Sequence, residues 1–238
     1  MNFLVRKGTS LRGEINIPGD KSMSHRAIML ASLSEGRCQI SGLLEGEDCL
    51  ATIDVFRKMG VNISSSDGNY LIEGNGLKGL KQPNESLDFG NSGTSIRLCS
   101  GVLSAQSFAT TLLGDESLSL RPMQRIVEPL TLMGAKILPS KDETLPLSIL
   151  PTDSLQSIEY TLPVASAQVK SCIMFAGLFA KGETKITEEV VTRNHTETMF
   201  NAFGIPVETS TSGDKKTISL SRVEACLLYT SDAADELR

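Results

Sequence analysis

Apolar positions along the chain change period in a fixed order. Period-2 positions at Leu11, Gly13, Ile15 and Ile17 predict a strand that stops at Pro18-Gly19, and a helix-like run follows over Ala27 to Leu33. The same order returns twice. Helical patterns at Cys49 to Met59, Pro122 to Met133 and His195 to Phe203 end on Lys58-Met59-Gly60, Leu132-Met133-Gly134 and Ala202-Phe203-Gly204. Each end is followed by an apolar-x-apolar strand start, at Val61/Ile63, Ala135/Ile137 and Ile205/Val207. The three glycines are spaced by 74 and 70 residues, as equivalent helix stops in an internal repeat would be.

Three matching starts lie upstream, PGDKSMSHR at Pro18, FGNSGTSIR at Phe89 and LPVASAQVK at Leu162. From each, the pattern predicts a first helix (Thr94 to Leu103, Gln168 to Phe179) and a strand (Arg37 to Ser41, Phe108 to Leu112, Glu183 to Ile186). A second helix and two closing strands complete the unit, as in Val61 to Ser64 with Tyr70 to Glu73. Ser66-Asp67-Gly68-Asn69 and Ser212-Gly213-Asp214 supply turn signals between the last two strands. The prediction is an α+β fold built from three βαβαββ units, over about 19–75, 86–150 and 158–221.

Candidate chemistry sits at the starts. A strand end, a tight turn and a helix N-terminus leave free N–H groups beside Lys21, Ser22, Ser24 and Arg26, which suits a phosphate or carboxylate. If the units share an axis, Arg26, Arg97 and Lys170 converge with three helix dipoles in one pocket, joined by Arg121 and Arg193 at the second helices. In that reading Arg121-Pro122 opens a helix, with Pro in its first turn. FGNSGTS lacks the Gly-Lys-Ser/Thr ending of a P-loop, which excludes that nucleotide site. His25 and His195 are not at metal-ligand spacing, and the methionines read as core filler.

Charge narrows the partners. The 238 residues carry a net charge of −5, which argues against nucleic acid and anionic membranes, so any anion must be held by a local basic cluster. Five scattered cysteines without a CxxC pair support neither a disulfide framework nor a zinc site, and point to a reduced, cytoplasmic chain. MNFLVRKGTS has no export-type apolar region.

The motifs GDKSMSHR, GNSGTSIR, LRPMQR, ASAQVKS and TRNHTETM together resemble the 5-enolpyruvylshikimate-3-phosphate (EPSP) synthase family from about Leu11 to Arg222. The resemblance implies an enolpyruvyl-transferase-like, inside-out α/β barrel domain. It further implies transfer of the enolpyruvyl group of phosphoenolpyruvate to the 5-hydroxyl of shikimate 3-phosphate, with release of phosphate, no cofactor and a monomeric full-length enzyme. Position by position, it assigns Lys21 to both substrates and to proton transfer. Ser22 and Arg26 would hold the carboxylate of shikimate 3-phosphate, and Ser166, Ala167, Gln168 and Arg193 its other parts. Asn91, Gly93, Thr94, Arg97, Arg121 and Gln168 would face phosphoenolpyruvate. Ala167 stands where many relatives have Ser, which removes one hydroxyl. The sister transferase acting on UDP-N-acetylglucosamine is the alternative, but its first motif reads Lys-Asn where this chain has Lys21-Ser22. A non-catalytic half that captures shikimate 3-phosphate is a further one. Residues 1–18 are expected to belong to a second domain, and 19–222 to form the three-repeat domain. The stretch 223–238, where patterning and repeat stop together, is expected to be an unrelated appendage, leaving a chain without turnover of its own.

Overall fold

A computed structural model describes residues 17–223, together with 4, 8 and 12–15. The first unit contains α1 (Lys21–Leu33), β1 (Glu35–Ser41), α2 (Glu47–Lys58), β2 (Asn62–Ser66) and β3 (Asn69–Asn75). The second contains β4 (Leu87–Asp88), α3 (Gly93–Leu103), β5 (Thr110–Leu113), α4 (Glu116–Ser119), α5 (Gln124–Leu132), β6 (Lys136–Leu138) and β7 (Leu147–Leu150). The third contains β8 (Glu159–Thr161), α6 (Ala167–Gly177), β9 (Glu183–Glu188), α7 (His195–Ala202), β10 (Glu208–Ser212) and β11 (Lys215–Ser221).

Each unit owns a sheet, ordered β1-β3-β2, β4-β5-β7-β6 and β8-β9-β11-β10. In the second and third, the leading strand runs parallel to the next (β4 with β5, β8 with β9), and the closing strands pair antiparallel. The first unit departs from the expected pattern. Residues 12–15 and 17 form no strand, Ile15 and Ile17 are 81% and 75% exposed, and Leu11 lies outside the described residues. A period-2 pattern becomes a strand only when a neighbour takes its hydrogen bonds, and no pairing is seen here among the described residues.

The predicted helix stops are three copies of one structure. Gly60, Gly134 and Gly204 have φ of 85°, 94° and 71°. Their N–H groups donate to Arg57, Thr131 and Asn201, and the following N–H groups to Phe56, Leu130 and Phe200. This paired bonding closes a helix on a left-handed residue that costs glycine nothing.

The first helices form the interior. Nine of thirteen residues of α1 and nine of eleven in both α3 and α6 are buried, so they are covered on every side. The second helices bury one face each, such as Cys49, Thr52, Ile53, Val55 and Phe56 of α2. The sheets lie outside with one polar face outward. Parallel α3 and α6 touch closely: a Cβ on Gly101 would stand 2.2 Å from the Cys172 carbonyl oxygen. Phe175 of α6 meets Phe200 of α7 edge-to-face at 5.2 Å, a contact adding about 1 kcal/mol to their burial. The four described cysteines are free and buried. Among the described residues no helix is long and apolar enough to cross a membrane, and no three metal-ligating side chains cluster.

Candidate functional site: the joined starts of α1, α3 and α6

The inner helices begin on side-chain caps. Asp20, Ser92 and Ser166 accept from the N–H groups of Met23, Ser95 and Val169 at 2.8, 3.2 and 3.3 Å. Helix α1 therefore starts at Lys21, before the expected Ala27, so Lys21, Ser22, Ser24 and Arg26 stand on its first two turns and not on a turn ahead of it. Asp20 was the local signal for this start.

Polar bridges join the three starts. His25 of α1 reaches Thr52 Oγ1 at 2.8 Å through Nδ1 and Ser92 Oγ at 3.3 Å through Nε2. Between α3 and α6, Arg97 Nη1 donates to Gln168 Oε1 at 2.9 Å, and Gln168 Nε2 to Thr94 Oγ1 at 3.0 Å. Between α1 and unit three, Arg26 Nη2 donates to Ser171 Oγ at 2.7 Å and Nε to Thr196 Oγ1 at 2.6 Å.

The expected convergence of Arg26, Arg97 and Lys170 is only partly realised. They stand six, five and four residues past their caps. At about 100° per residue they point to different faces of their helices. Arg97 is half-buried at the site. Arg26 is 4% exposed, with a third N–H on the Ser22 carbonyl at 2.8 Å. Lys170 is fully buried and bonded to Glu188 and Glu197 at 3.0 and 2.8 Å, so it adds no free charge to a pocket. The equivalent positions four residues past the other two caps, Ser24 and Ile96, are buried as well.

The predicted cation at Arg121 is present on different scaffolding. Pro122 lies ahead of α5, whose cap position is Met123, and Pro129 is the proline inside the helix. Arg121 follows the short α4, an element the hydrophobic pattern did not indicate. The Asp115 carboxylate caps α4 by accepting from Leu118 N–H at 2.7 Å and also accepts from Asn91 Nδ2 at 2.6 Å. Those bonds hold the Asp115 carboxyl below its usual range. Asn91 in turn accepts from Arg121 Nη2 at 2.7 Å. Gly93 lies directly beneath both guanidiniums: a Cβ there would stand 2.8 Å from Arg97 Nη1 and 3.1 Å from Arg121 Nη1.

Lys21 is half-exposed and ion-paired with Asp48 of α2, a partner absent from the sequence-based set. Asn91 and Arg193 are exposed, and Ser22, Ser166, Ala167 and Gln168 half-buried. Burial, then Arg121 and Arg125, depresses the Arg97 pKa, which records a cluster of mutually repelling guanidiniums. Burial lowers His195 below its usual range, with Arg26 assisting, so its ring is neutral at pH 7. Burial takes His25 down to about 4 and Arg26 to about 10. Arg97 and Arg121 thus stand together with Asn91 and Gln168 beside them, while Lys21 and Arg193 lie exposed at the start of α1 and just ahead of α7. Such a set of cations and amides suits a ligand bearing more than one anionic group.

A family model described as EPSP synthase (3-phosphoshikimate 1-carboxyvinyltransferase) matches residues 5–223. The chain belongs to the EPSP synthase family. It is 51% identical over 218 residues to the 3-phosphoshikimate 1-carboxyvinyltransferase of Hydrogenovibrio crunogenus, covering 91% of this chain and 49% of that protein. With its counterpart from Alkalilimnicola ehrlichii it shares 55% over 208 residues, covering 87% and 47%. The solved EPSP synthase of Acinetobacter baumannii superposes with a TM-score of 0.85 at 51% identity, over 90% of this chain and 48% of that one. The fold is therefore the enolpyruvyl-transferase-like, inside-out α/β arrangement that the repeat and the motifs implied. The chain spans about half the length of the curated relatives it matches.

Proposed function

We propose that this chain forms the shikimate 3-phosphate side of an EPSP synthase site, together with part of the phosphoenolpyruvate wall. The observation that carries the reading is the Gly93 cradle, where Arg97 and Arg121 converge beside Asn91 and Gln168 in a protein of net charge −5. Lys21, Ser22, Arg26, Ser166, Gln168 and Arg193 hold shikimate 3-phosphate, with Ala167 lining that side. Asn91, Gly93, Thr94, Arg97 and Arg121 face phosphoenolpyruvate. Arg26 spends three of its five N–H groups within the protein, leaving two for a carboxylate.

In this proposal a proton adds to the methylene carbon of phosphoenolpyruvate while the sugar hydroxyl oxygen bonds to C2 and gives up its proton. Loss of a methyl proton and of phosphate then restores the double bond. Lys21 assists proton transfer, and the arginines align two mutually repelling anions and stabilise the charge that develops. Exposed apolar residues stand beside the site residues, with Leu120 at 81%, Val164 at 54%, Val190 at 67% and Val191 at 56%. They support closure of a further protein surface over the site, so the 238-residue chain binds without turnover.

Calorimetric titration tests this. Shikimate 3-phosphate should bind the chain and UDP-N-acetylglucosamine should not, and no EPSP should form when phosphoenolpyruvate is added. Preference for the nucleotide sugar would move the chain to the sister transferase, and measurable EPSP formation would refute the incomplete-site reading.

A further inference from the structure

We propose that the buried Lys170–Glu188–Glu197 triad is a positioning device. It fixes where residues 189–194 present Arg193 and ties that loop to Arg26. The role at shikimate 3-phosphate rests on the site reading above, whereas the role in holding the loop does not.

Lys170 Nζ holds both ends of the loop at once. Glu188 closes β9 and Glu197 stands in the first turn of α7, and both carboxylates bond the same fully buried ammonium. A third tie lies inside the loop. Glu188 Oε1, the oxygen turned away from Lys170, accepts from Thr192 N–H at 3.2 Å and from the Thr192 hydroxyl. Thr192 directly precedes Arg193, so that backbone is fixed while the exposed guanidinium remains available.

The coupling continues to α1. Thr196, next to Glu197, accepts from Arg26 Nε and lies 2.6 Å from Ser171 Oγ. Ser171 donates to the Ala167 carbonyl at 2.7 Å, so the Thr196 hydroxyl donates to Ser171. Arg26 is thus bonded on two sides by residues adjoining the triad. Glu197 also raises the Arg26 pKa against the lowering by burial.

Cohesion alone does not call for these charges. Ile96 fills the equivalent position of α3, fully buried and uncharged. Buried ion pairs are commonly matched in stability by apolar side chains of similar volume, so orientation is what they add. The Glu197 carboxylate also faces Lys216 of β11, 3.5 Å from Oε1, so the cluster ties α6, β9, α7 and β11 together.

The test uses the full chain, with peptide-resolved amide hydrogen exchange, urea unfolding and calorimetry with shikimate 3-phosphate. The variant Lys170→Met/Glu188→Leu/Glu197→Met removes the three buried charges together and leaves Lys216, which pairs with Glu197 at 3.5 Å, with its ammonium partly exposed to water. It should fold, exchange residues 189–196 at least tenfold faster than wild type, and bind shikimate 3-phosphate at least tenfold more weakly. Thr192→Val puts the fold at little risk, because Thr192 is half-buried in the loop. It should speed exchange over 189–194 about threefold and weaken binding several-fold, and Thr192→Ser should restore both. If the triple variant does not fold, the Thr192 pair decides. Wild-type loop exchange in a folded triple variant or in Thr192→Val overturns the positioning role, as does wild-type affinity in the triple variant. Absence of shikimate 3-phosphate binding by the wild type, with loop exchange responding as stated, overturns the substrate reading and leaves the loop-positioning role standing.

Discussion

Arg97 in the second unit and Lys170 in the third both follow a serine-capped helix start, yet their environments are opposite. Arg97 is half-buried at the site face beside Arg121 and above Gly93. Lys170 is enclosed between two glutamates. The difference is one residue of helical phase, five positions past the cap against four. A quarter-turn or so decides whether a cation meets solvent and ligands or the core, and a cation sent to the core has to bring counter-ions with it. Repetition of a motif therefore does not by itself repeat a role.

The largest test of this contrast removes each cation in turn. Lys170→Met leaves Glu188 without an ammonium and Glu197 with only the more distant Lys216, 3.5 Å away, and should cost about 3–5 kcal/mol in urea unfolding. Arg97→Met gives up bonds to Gln168 and to the Gly93 and Pro122 carbonyls at a half-exposed position, and should cost about 1–2 kcal/mol. Equal losses would erase the distinction between them.

Acid should reach the core through the first unit. His25 has a folded-state pKa of about 4 against an unfolded value near 6.5, so below pH 6.5 the unfolded chain takes up a proton that the native chain refuses. The neutral-His contribution is fully present above that range and is lost as pH falls toward 4, by roughly 2 kcal/mol at pH 5. Unfolding at pH 7 and pH 5 should show this loss, and His25→Asn should remove that part of the pH dependence while lowering stability at pH 7.

Gly93→Ala sharpens the other side of the comparison. The added carbon would meet the ends of two flexible side chains and not backbone, so stability should change little. The guanidiniums must move apart, and calorimetric affinity for phosphoenolpyruvate with shikimate 3-phosphate present should fall about tenfold, near 1.4 kcal/mol. Unchanged affinity would remove Arg97 and Arg121 from the phosphoenolpyruvate wall.

The smallest effect is expected at Asp48→Asn. The Lys21–Asp48 pair is partly exposed, so its loss should cost below about 1 kcal/mol. Releasing Lys21 from its counter-ion should strengthen shikimate 3-phosphate binding a few-fold in the same titration, whereas weaker binding would show that Asp48 aims Lys21 at the ligand.

How much was legible in the chain follows the reach of each interaction. Gly60, Gly134 and Gly204 announced the repeat because a helix stop is a matter of six consecutive residues. Asn91, Gly93, Arg97 and Arg121 could be named as one cluster through the repeat and the family resemblance. The leading strand predicted at Leu11 to Ile17 did not form over its described residues, because a strand also needs a neighbour. The α4 segment was missed because one turn capped by Asp115 is too short to show a period.

The sequence by itself determined the three repeated units, their glycine helix stops, and the set of polar groups near the helix starts. These depend on local backbone preference and on apolar periodicity, both written within a few residues. Only the tertiary structure decided which cations are free. Lys170 meets carboxylates 18 and 27 residues away, Gln168 meets Arg97 across 71, and Arg26 meets Thr196 across 170. Electrostatic environment is set by what packing brings near and by how much water it removes, and neither is a property of any short stretch of chain.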